Sequence, residues 1–526
     1  MKNKFLVVGI GMCRILAVVA ICCIMFFGCR TTDHSGNSDG QSEYRVSVDN
    51  TREYIRNGTI LHCWCWSFKT IEENLPRIAE AGFTAIQTSP INTCLEGENG
   101  GLDMMGNGKW YYQYQPVDWK IGNYQLGTRD EFRHMCEVAE SYGIKVIVDV
   151  VPNHTTPDVD AVSADFVEAV GGMEKLYHKN GNKPLANYSD RYQCTTAKMG
   201  GLPDVNTENP LFQSYFMAFI NDCISCGADG FRYDTAKHIG LPDDPRDEAS
   251  PENNFWPLFT GHTVLETENG IVQLGDGADL EKSGGLFIYG EVLQGNNARE
   301  GDYAEYISVT ASGYGKSLRQ MLASNQLTAK SVSAWRNDAG GEKLVTWVES
   351  HDTYANEGES AKMSNFMLRA GYTVIAARKD GTPLFFSRPT GNGVNGAVGG
   401  AQGGANPGEG AASEEGVQFP AGCRIGNAGN DEFFNVEVVA VNQFRKAMCG
   451  LDEEIVNIDG NPQVLAIVRG GKGVVIINIG DESVPFEIPT NLSRGTYKDK
   501  AHGVKCSVSF GTLRGTVESR QILVIS

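Results

Sequence analysis

Between residues 59 and 150 the chain alternates short, nearly all-apolar runs with longer stretches of helical periodicity: TILHCWCW, IEENLPRIAEAG, FTAIQTSP, RDEFRHMCEVAESYG, IKVIVDVV. A strand that is apolar at successive positions must be covered on both faces, and the intervening amphipathic helices supply the cover. The pattern therefore demands a parallel sheet wrapped in helices. The rhythm resumes further on with GADGFRYD, LFIYGEV, KLVTWVES and GTPLFFS. Repetition over this length favours a closed (β/α)8 barrel, an α/β fold, over an open doubly wound sheet, although periodicity is common to both.

At 526 residues the chain is too long for one ordinary core, and the pattern breaks in informative places. The expected barrel covers 58–151 and 208–446, interrupted by an inserted domain over 152–207 after the third strand. The segment 447–526 carries short strands with turn signals and no helical period, which predicts a C-terminal antiparallel β-sandwich. Residues 390–422 are dominated by Gly, Ala and acidic side chains and read as a surface excursion.

Residues 1–29 place Lys2 and Lys4 ahead of an apolar stretch ending in Phe26-Phe27-Gly28-Cys29, the pattern of an export signal. A small residue directly before Cys29 resembles the bacterial lipoprotein box, in which that Cys is lipidated. The polar stretch within 30–57 then serves as a tether. The expectation is an exported monomer, held to a membrane only through a lipid anchor at the cell surface or periplasmic face, or else secreted. A net charge of -19 excludes nucleic acid as the main partner, because phosphate backbones are bound by clustered Lys and Arg. A neutral ligand fits this balance.

Of the 14 Cys, those outside the export segment follow no framework spacing, so most read as small buried hydrophobes. Cys223-x-x-Cys226 lies in a helix-like run, where a redox or zinc role is disfavoured. Cys63-x-Cys65 has strand spacing, which predicts both side chains on one face.

Four strand ends finish in ionisable residues: Asp149 to His154 (DVVPNH), Arg232 and Asp234 (GFRYD), Glu291 (GEV), and Glu349 to Asp352 (ESHD). In a parallel barrel all such ends meet at one face, where barrel active sites are built. A lone Asp at a strand end is often a helix cap; the clustering of Asp, Glu, Arg and His argues for chemistry. Arg232 is two residues before Asp234 and points to the same side, so it is expected to keep that carboxylate ionised. Glu291 would complement it as an acid with a raised pKa. One ionised and one protonated carboxyl group is what glycosidic bond cleavage requires, at a separation of about 5–5.5 Å in retaining enzymes.

In sequence and order, DVVPNH, GFRYDTAKH, GEV and ESHDTY resemble the four signature segments of the α-amylase family, glycoside hydrolase family thirteen. LHCWCWSF, AIQTSPIN, YQYQPVDW and TPLFFSRP extend the resemblance to secreted bacterial members. The resemblance implies a retaining endo-hydrolase of α-1,4-glucosidic bonds in starch, glycogen and maltooligosaccharides. Asp234 would be the nucleophile, Glu291 the general acid and base, and Asp352 the carboxylate that binds sugar hydroxyls. His154, Arg232, His351 and Tyr114 match sugar contacts at the cleavage point, with Gln115 and Tyr111 on the same loop. Lys237 and His238 match the pair on the leaving-group side.

The resemblance also implies calcium between barrel and inserted domain, held by the side chains of Asn153 and Asp204 and by carbonyl oxygens of Thr195 and His238. Ser350 replaces the Asn found before the last His in chloride-dependent members, so chloride is not expected. A transglycosylating or maltogenic enzyme uses the same residues and stays open. A catalytically silent glucan-binding surface lipoprotein is disfavoured, since such proteins lose a catalytic carboxylate and all three are present here.

Overall fold

In a computed structural model of the chain, residues 47–247, 250–275, 284–391 and 418–526 are described. The export-like segment with Cys29, most of the tether and the middle of the Gly-rich stretch lie outside the described residues.

Eight parallel strands close into a barrel: β1 (Ile60–His62), β2 (Ala85–Gln87), β3 (Lys145–Val150), β4 (Gly230–Tyr233), β5 (Phe287–Gly290), β6 (Ser308–Thr310), β7 (Leu344–Trp347) and β8 (Thr382–Phe386). Ile60 pairs with Ala85 on one side and Leu384 on the other, which closes the ring. Ile60, Ala85, Ile147, Phe287, Tyr289, Val345 and Leu384 fill the interior, and Ile55 from the helix Thr51–Asn57 packs with them. The barrel is thus a packed core rather than a pore.

The outer helices start where local chemistry dictates. Ser67 caps Phe68–Glu80, and Thr128 with Glu131 forms a capping box on Arg129–Ser141. Phe68, Ile71, Leu75 and Ile78 recur at helical spacing and are buried, so this face lies on the barrel.

The C-terminal segment forms two antiparallel sheets. One holds β9 (Glu453–Asn457), β10 (Val464–Arg469), β11 (Gly473–Asn478) and β16 (Gln521–Ile525); the other holds β12 (Val484–Pro489), β13 (Gly495–Lys498), β14 (Lys505–Ser509) and β15 (Thr512–Val517). Val464, Ala466, Ile476 and Leu523 face Phe486, Ile488 and Leu513 across the sandwich. Their neighbours Leu465, Ile467, Val475, Ile477 and Val524 join the barrel's own core. Burial on both faces explains why these strands read as unbroken apolar runs instead of alternating.

Two expectations change. β1 ends at His62, and Cys65 takes a left-handed φ of 62°, so Cys63 and Cys65 do not share a strand face. They pack into separate clusters because the chain turns after His62 to enter the loop carrying Trp64 and Trp66. β6 is not singled out in the sequence: its core, Ser308-Val309-Thr310, holds one apolar residue between two hydroxyl side chains, so no apolar run marks it as β1 and β2 are marked. All the cysteines among the described residues are free thiols; Cys223 and Cys226 are buried at the end of the helix Pro210–Ser225. Among the described residues no helix is long and apolar enough to cross a membrane.

Candidate active site

β4 and β5 run in register with Tyr233 beside Gly290, so the next residue of each, Asp234 and Glu291, emerges side by side at the barrel rim. Gly290 is required there. A Cβ at that position would lie 2.6 Å from both Ala236 Cβ and Ile307 Cδ1. Thr235, held at a left-handed φ of 48°, turns its N–H onto Glu291 Oε2 at 3.0 Å.

Arg232 organises the carboxylates. Its Nη1 donates to Asp149 Oδ1 and Oδ2 at 2.8 and 2.9 Å and to Asp234 Oδ1 at 2.7 Å, while Nη2 donates to Glu291 Oε2 at 2.9 Å. The guanidinium reaches Asp234, as a spacing of two along the strand leads one to expect, and its planar fork also takes in Glu291 and Asp149. Burial pushes Asp234, Glu291 and Asp352 above the usual carboxylate range, with Arg232 opposing the rise in each. For Glu291, the neighbouring charges of Asp234 and Asp352 add to the upward push. Asp149, buried beneath them, is pushed up to about 7 against the pull of Arg232.

The remaining rim residues converge on the same cleft. Tyr114 stacks on His351 with ring centres 4.9 Å apart and donates its hydroxyl to Asp149 Oδ2 at 3.0 Å. His154 Nε2 lies 3.0 Å from the carbonyl of Tyr114 and 4.0 Å from Asp234 Oδ2, leaving its buried Nδ1 without a partner among the described residues. Burial lowers His154 to about 4 and His351, also facing Arg232, to about 3, so both rings are neutral at ordinary pH. His351 Nε2 lies 3.6 Å from Asp352 Oδ2, and Asn356 Nδ2 donates to Asp352 Oδ1 at 2.5 Å.

A cleft of about 530 Å³ is lined by Tyr111, Tyr114, Gln115, His154, Asp234, Lys237, His238, Glu291, His351 and Asp352. Every substrate-side residue singled out in the sequence therefore borders one cavity, except Arg232. That side chain lies beneath the carboxylates and lines an adjoining cavity of about 350 Å³. Lys237 is buried, and its Nζ donates to the carbonyls of Leu293 and Gly295 at 3.3 and 3.2 Å, where it supports the cleft wall.

Asn153 and Asp204 meet at the base of the inserted segment, where main-chain pairing joins His154 to Asp204 and Val205 to Asn153. Asn153 Oδ1 and Asp204 Oδ1 are both buried with no hydrogen-bond donor among the described residues. Two buried hard oxygens left without donors, on segments paired through the main chain, fit a hard cation. The His238 ring nitrogen Nδ1 lies 2.8 Å from the carbonyl of Cys194, the residue before Thr195, which ties the segments carrying His238 and Thr195 together. The other oxygen of Asp204 faces His178 Nδ1 at 2.6 Å, and Glu208 takes the opposite ring nitrogen at 2.5 Å. Burial disfavours a charged ring, yet Glu208 and Asp204 together hold His178 up at about 10. Among the described residues no cluster of three or more His, Cys, Asp or Glu forms a metal cage, so any cation here depends on amide and carbonyl oxygens.

Sequence reasoning missed Trp110, Tyr188, Leu293, Gln294 and Asn356, all on the cleft wall. Asn356 carried a signal, its spacing of four from Asp352 on one helical turn. Trp110 opens the short 3-10 helix Trp110–Tyr114 and the other three lie on loops, where spacing does not tell which way a side chain faces.

Known proteins agree with this architecture. Residues 66–307 match the family described as "Alpha amylase, catalytic domain", and residues 455–523 match "Alpha amylase, C-terminal all-beta domain". An α-amylase of Butyrivibrio fibrisolvens is 44% identical over 498 residues, covering 90% of this chain and 48% of the relative. One from Clostridium acetobutylicum is 33% identical over 487 residues, covering 92% and 55%. The chain thus spans about half the length of these curated relatives. A solved complex of an α-amylase I mutant with maltohexaose, from Eisenia fetida, superposes with a TM-score of 0.65 at 19% identity, covering 89% of this chain and 97% of that one. With one match spanning barrel strands β2 to β5 and the other the C-terminal β-sandwich, and with both curated relatives aligned over some nine-tenths of the chain, the chain belongs to the α-amylase family.

Proposed function

We propose that the protein is a retaining endo-hydrolase of α-1,4-glucosidic bonds in starch, glycogen and maltooligosaccharides. The observation that carries this reading is one guanidinium, Arg232, bonded at once to Asp234 and Glu291 on adjacent strands. Two carboxyl groups this close suit double displacement, whereas an inverting enzyme needs room for a water between them. Asp234 attacks the anomeric carbon as Glu291 gives its proton to the departing glycosidic oxygen, and the C–O bond breaks. Water then attacks the glycosyl–Asp234 ester while Glu291 takes back a proton, and Asp234 leaves as carboxylate. Asp352, beside the neutral His351, accepts hydrogen bonds from ring hydroxyls, and Tyr114 and His154 shape the same sugar site. The family membership and the maltohexaose bound to a fold relative support an α-glucan as partner.

The test is incubation with amylose and a panel of maltooligosaccharides, followed by product length and anomeric form. Internal cleavage with α-anomeric products is expected; β-anomeric products would refute the mechanism. Dominant transfer products would mark the transglycosylating alternative, and release of maltose alone the maltogenic one.

Calcium belongs to the same proposal. Asn153 and Asp204 side chains, with the main-chain oxygens of Thr195 and His238, would hold it, and its charge would fix the inserted segment against the barrel. A metal bound only by the folded chain adds linkage stabilisation, about 2.7 kcal/mol at a hundredfold excess over Kd. Chelation is therefore expected to lower the melting temperature, with recovery on adding Ca²⁺; an unchanged melting curve would remove calcium from the account. Export with lipidation at Cys29 is likewise proposed, and radiolabelled fatty acid incorporation that survives Cys29→Ser would overturn that assignment.

A further inference from the structure

Asp244, in the connection after β4, has a carboxylate fully buried from solvent. Its oxygens accept from Arg191 Nε at 3.0 Å and Nη2 at 2.6 Å, from Arg299 Nη1 at 2.9 Å, and from the main-chain N–H of Leu241 at 2.9 Å. The three partners come from three connections: Arg191 from the insertion after β3, Leu241 from the loop after β4, and Arg299 from the loop after β5. Burial raises the Asp244 pKa, but Arg191 and Arg299 outweigh it and hold the group ionised.

Both arginines reach onward to the cleft. Arg191 Nη1 donates to the carbonyl of Lys237 at 3.1 Å, fixing the main chain whose side chain supports Leu293 and Gly295. Arg299 ends a run in which Gly295, Asn296, Asn297 and Arg299 all take left-handed φ, from 52° to 89°. Non-glycine residues in that region cost on the order of 1 kcal/mol or more each and persist only where surrounding contacts hold them. Arg299 supplies that hold, through Asp244, through Asp243 at 2.8 Å and through Asp302 at 2.6 Å. Leu293 and Gln294, just before this run, and Asn296 within it line the cleft that Glu291 also borders.

We propose that Asp244 is a positioning residue that locks the leaving-group wall of the cleft, Leu293 to Asn296, to the inserted segment and to Lys237. The proposal rests on the reading of Glu291 as the acid beside the leaving group. A glucan places sugar units against this wall beyond the cleaved bond. A glycosyl fluoride places only fluoride there, so its cleavage does not depend on the wall.

Asp244→Asn keeps the shape and removes the charge, and Arg299→Gln releases the wall while Arg191 stays paired with Asp244; the other partners it gives up, Asp243 and Asp302, are more than half exposed. The two variants and the wild type are compared on maltoheptaose and on α-maltotriosyl fluoride, with melting curves alongside. The expected result is a kcat/KM for maltoheptaose lowered about 10- to 100-fold, the scale of a misplaced binding element, with the fluoride changed less than about threefold. Equal losses on both substrates, or none on either, would overturn the proposal. If Asp244→Asn fails to fold, Arg299→Gln decides by the same comparison. Wild-type protein that cleaves neither substrate would refute the functional reading beneath it, an outcome distinct from any seen in the variants.

Discussion

Asp234→Asn should lower hydrolysis of maltooligosaccharides by on the order of 10⁴-fold or more, the range seen when a covalent nucleophile is removed. Glu291→Gln should lower it about 10²- to 10⁴-fold on the same substrate, the usual share of a general acid. The two variants are expected to differ on a glycosyl fluoride. Fluoride leaves without a proton, so Glu291→Gln should form the glycosyl–Asp234 ester quickly and then stall, because no base activates the water. Intact-mass spectrometry should show that adduct in Glu291→Gln and not in Asp234→Asn. An adduct in both, or wild-type turnover by either, would remove these roles.

The same assignment fixes a pH sign. Activity at high pH is limited by loss of the proton on Glu291, and burial together with the charges of Asp234 and Asp352 moves that limit upward. The alkaline limb should therefore lie above the ordinary glutamate range in wild type and be missing from the residual activity of Glu291→Gln. At low pH, activity falls as Asp234 takes a proton, again above the ordinary aspartate value because Asp234 is buried.

Arg445→Leu should produce the largest loss of stability, about 3–5 kcal/mol, read as a lower midpoint of urea unfolding. Arg445 is buried at the face of the barrel opposite the cleft, and its donors meet only main-chain carbonyls. Nε reaches Asn57 and Gly58 at 3.1 and 2.7 Å, Nη1 reaches Ala376 and Arg378 at 3.4 and 3.0 Å, and Nη2 reaches Arg56 and Gly381 at 3.3 and 2.6 Å. Burial and the nearby Arg469 push its pKa down to about 10, so it stays cationic at neutral pH. The carbonyls at the end of the helix Asn365–Ala377 supply the negative pole that stands in for a carboxylate. Leu would take from the carbonyls of Asn57, Gly58, Ala376 and Gly381 the donors that Arg445 gives them, each at a desolvation penalty of about 1–3 kcal/mol that water entry partly relieves, while Arg378 keeps Arg469 Nη1 and Arg56 keeps Thr382 Oγ1. Arg445→Lys keeps the charge but has three donors for those acceptors, so it should recover only part of the loss. A change below about 1 kcal/mol in Arg445→Leu would show that the cage is not holding this end of the barrel.

The two predictions differ in how much of them could be read from the chain. Asp234, Glu291 and Asp352 stand in motifs at strand ends, and a parallel barrel brings all strand ends of one sense to one rim, so pattern and topology together place them. Arg445 carries no such signal. An arginine in an amphipathic helix reads as a solvated residue, and only the packing of Val436–Ala447 against the chain around Asn57 and Gly381 turns it inward.

What the sequence determined was periodicity and chemistry: apolar runs spaced by helices, an insertion after the third strand, a terminal β-sandwich, and acidic residues at the ends of particular strands. Those properties are local, set by side-chain type and by repeats of two or near four residues. What only the tertiary structure decided was sharing and direction. It divided Arg232 among three carboxylates, turned Lys237 onto the wall beside Glu291, joined three loops through Asp244, and bent the chain at Cys65. Each depends on groups distant in sequence competing for the same few donors and acceptors in a buried space, and no spacing along the chain records which of them meet.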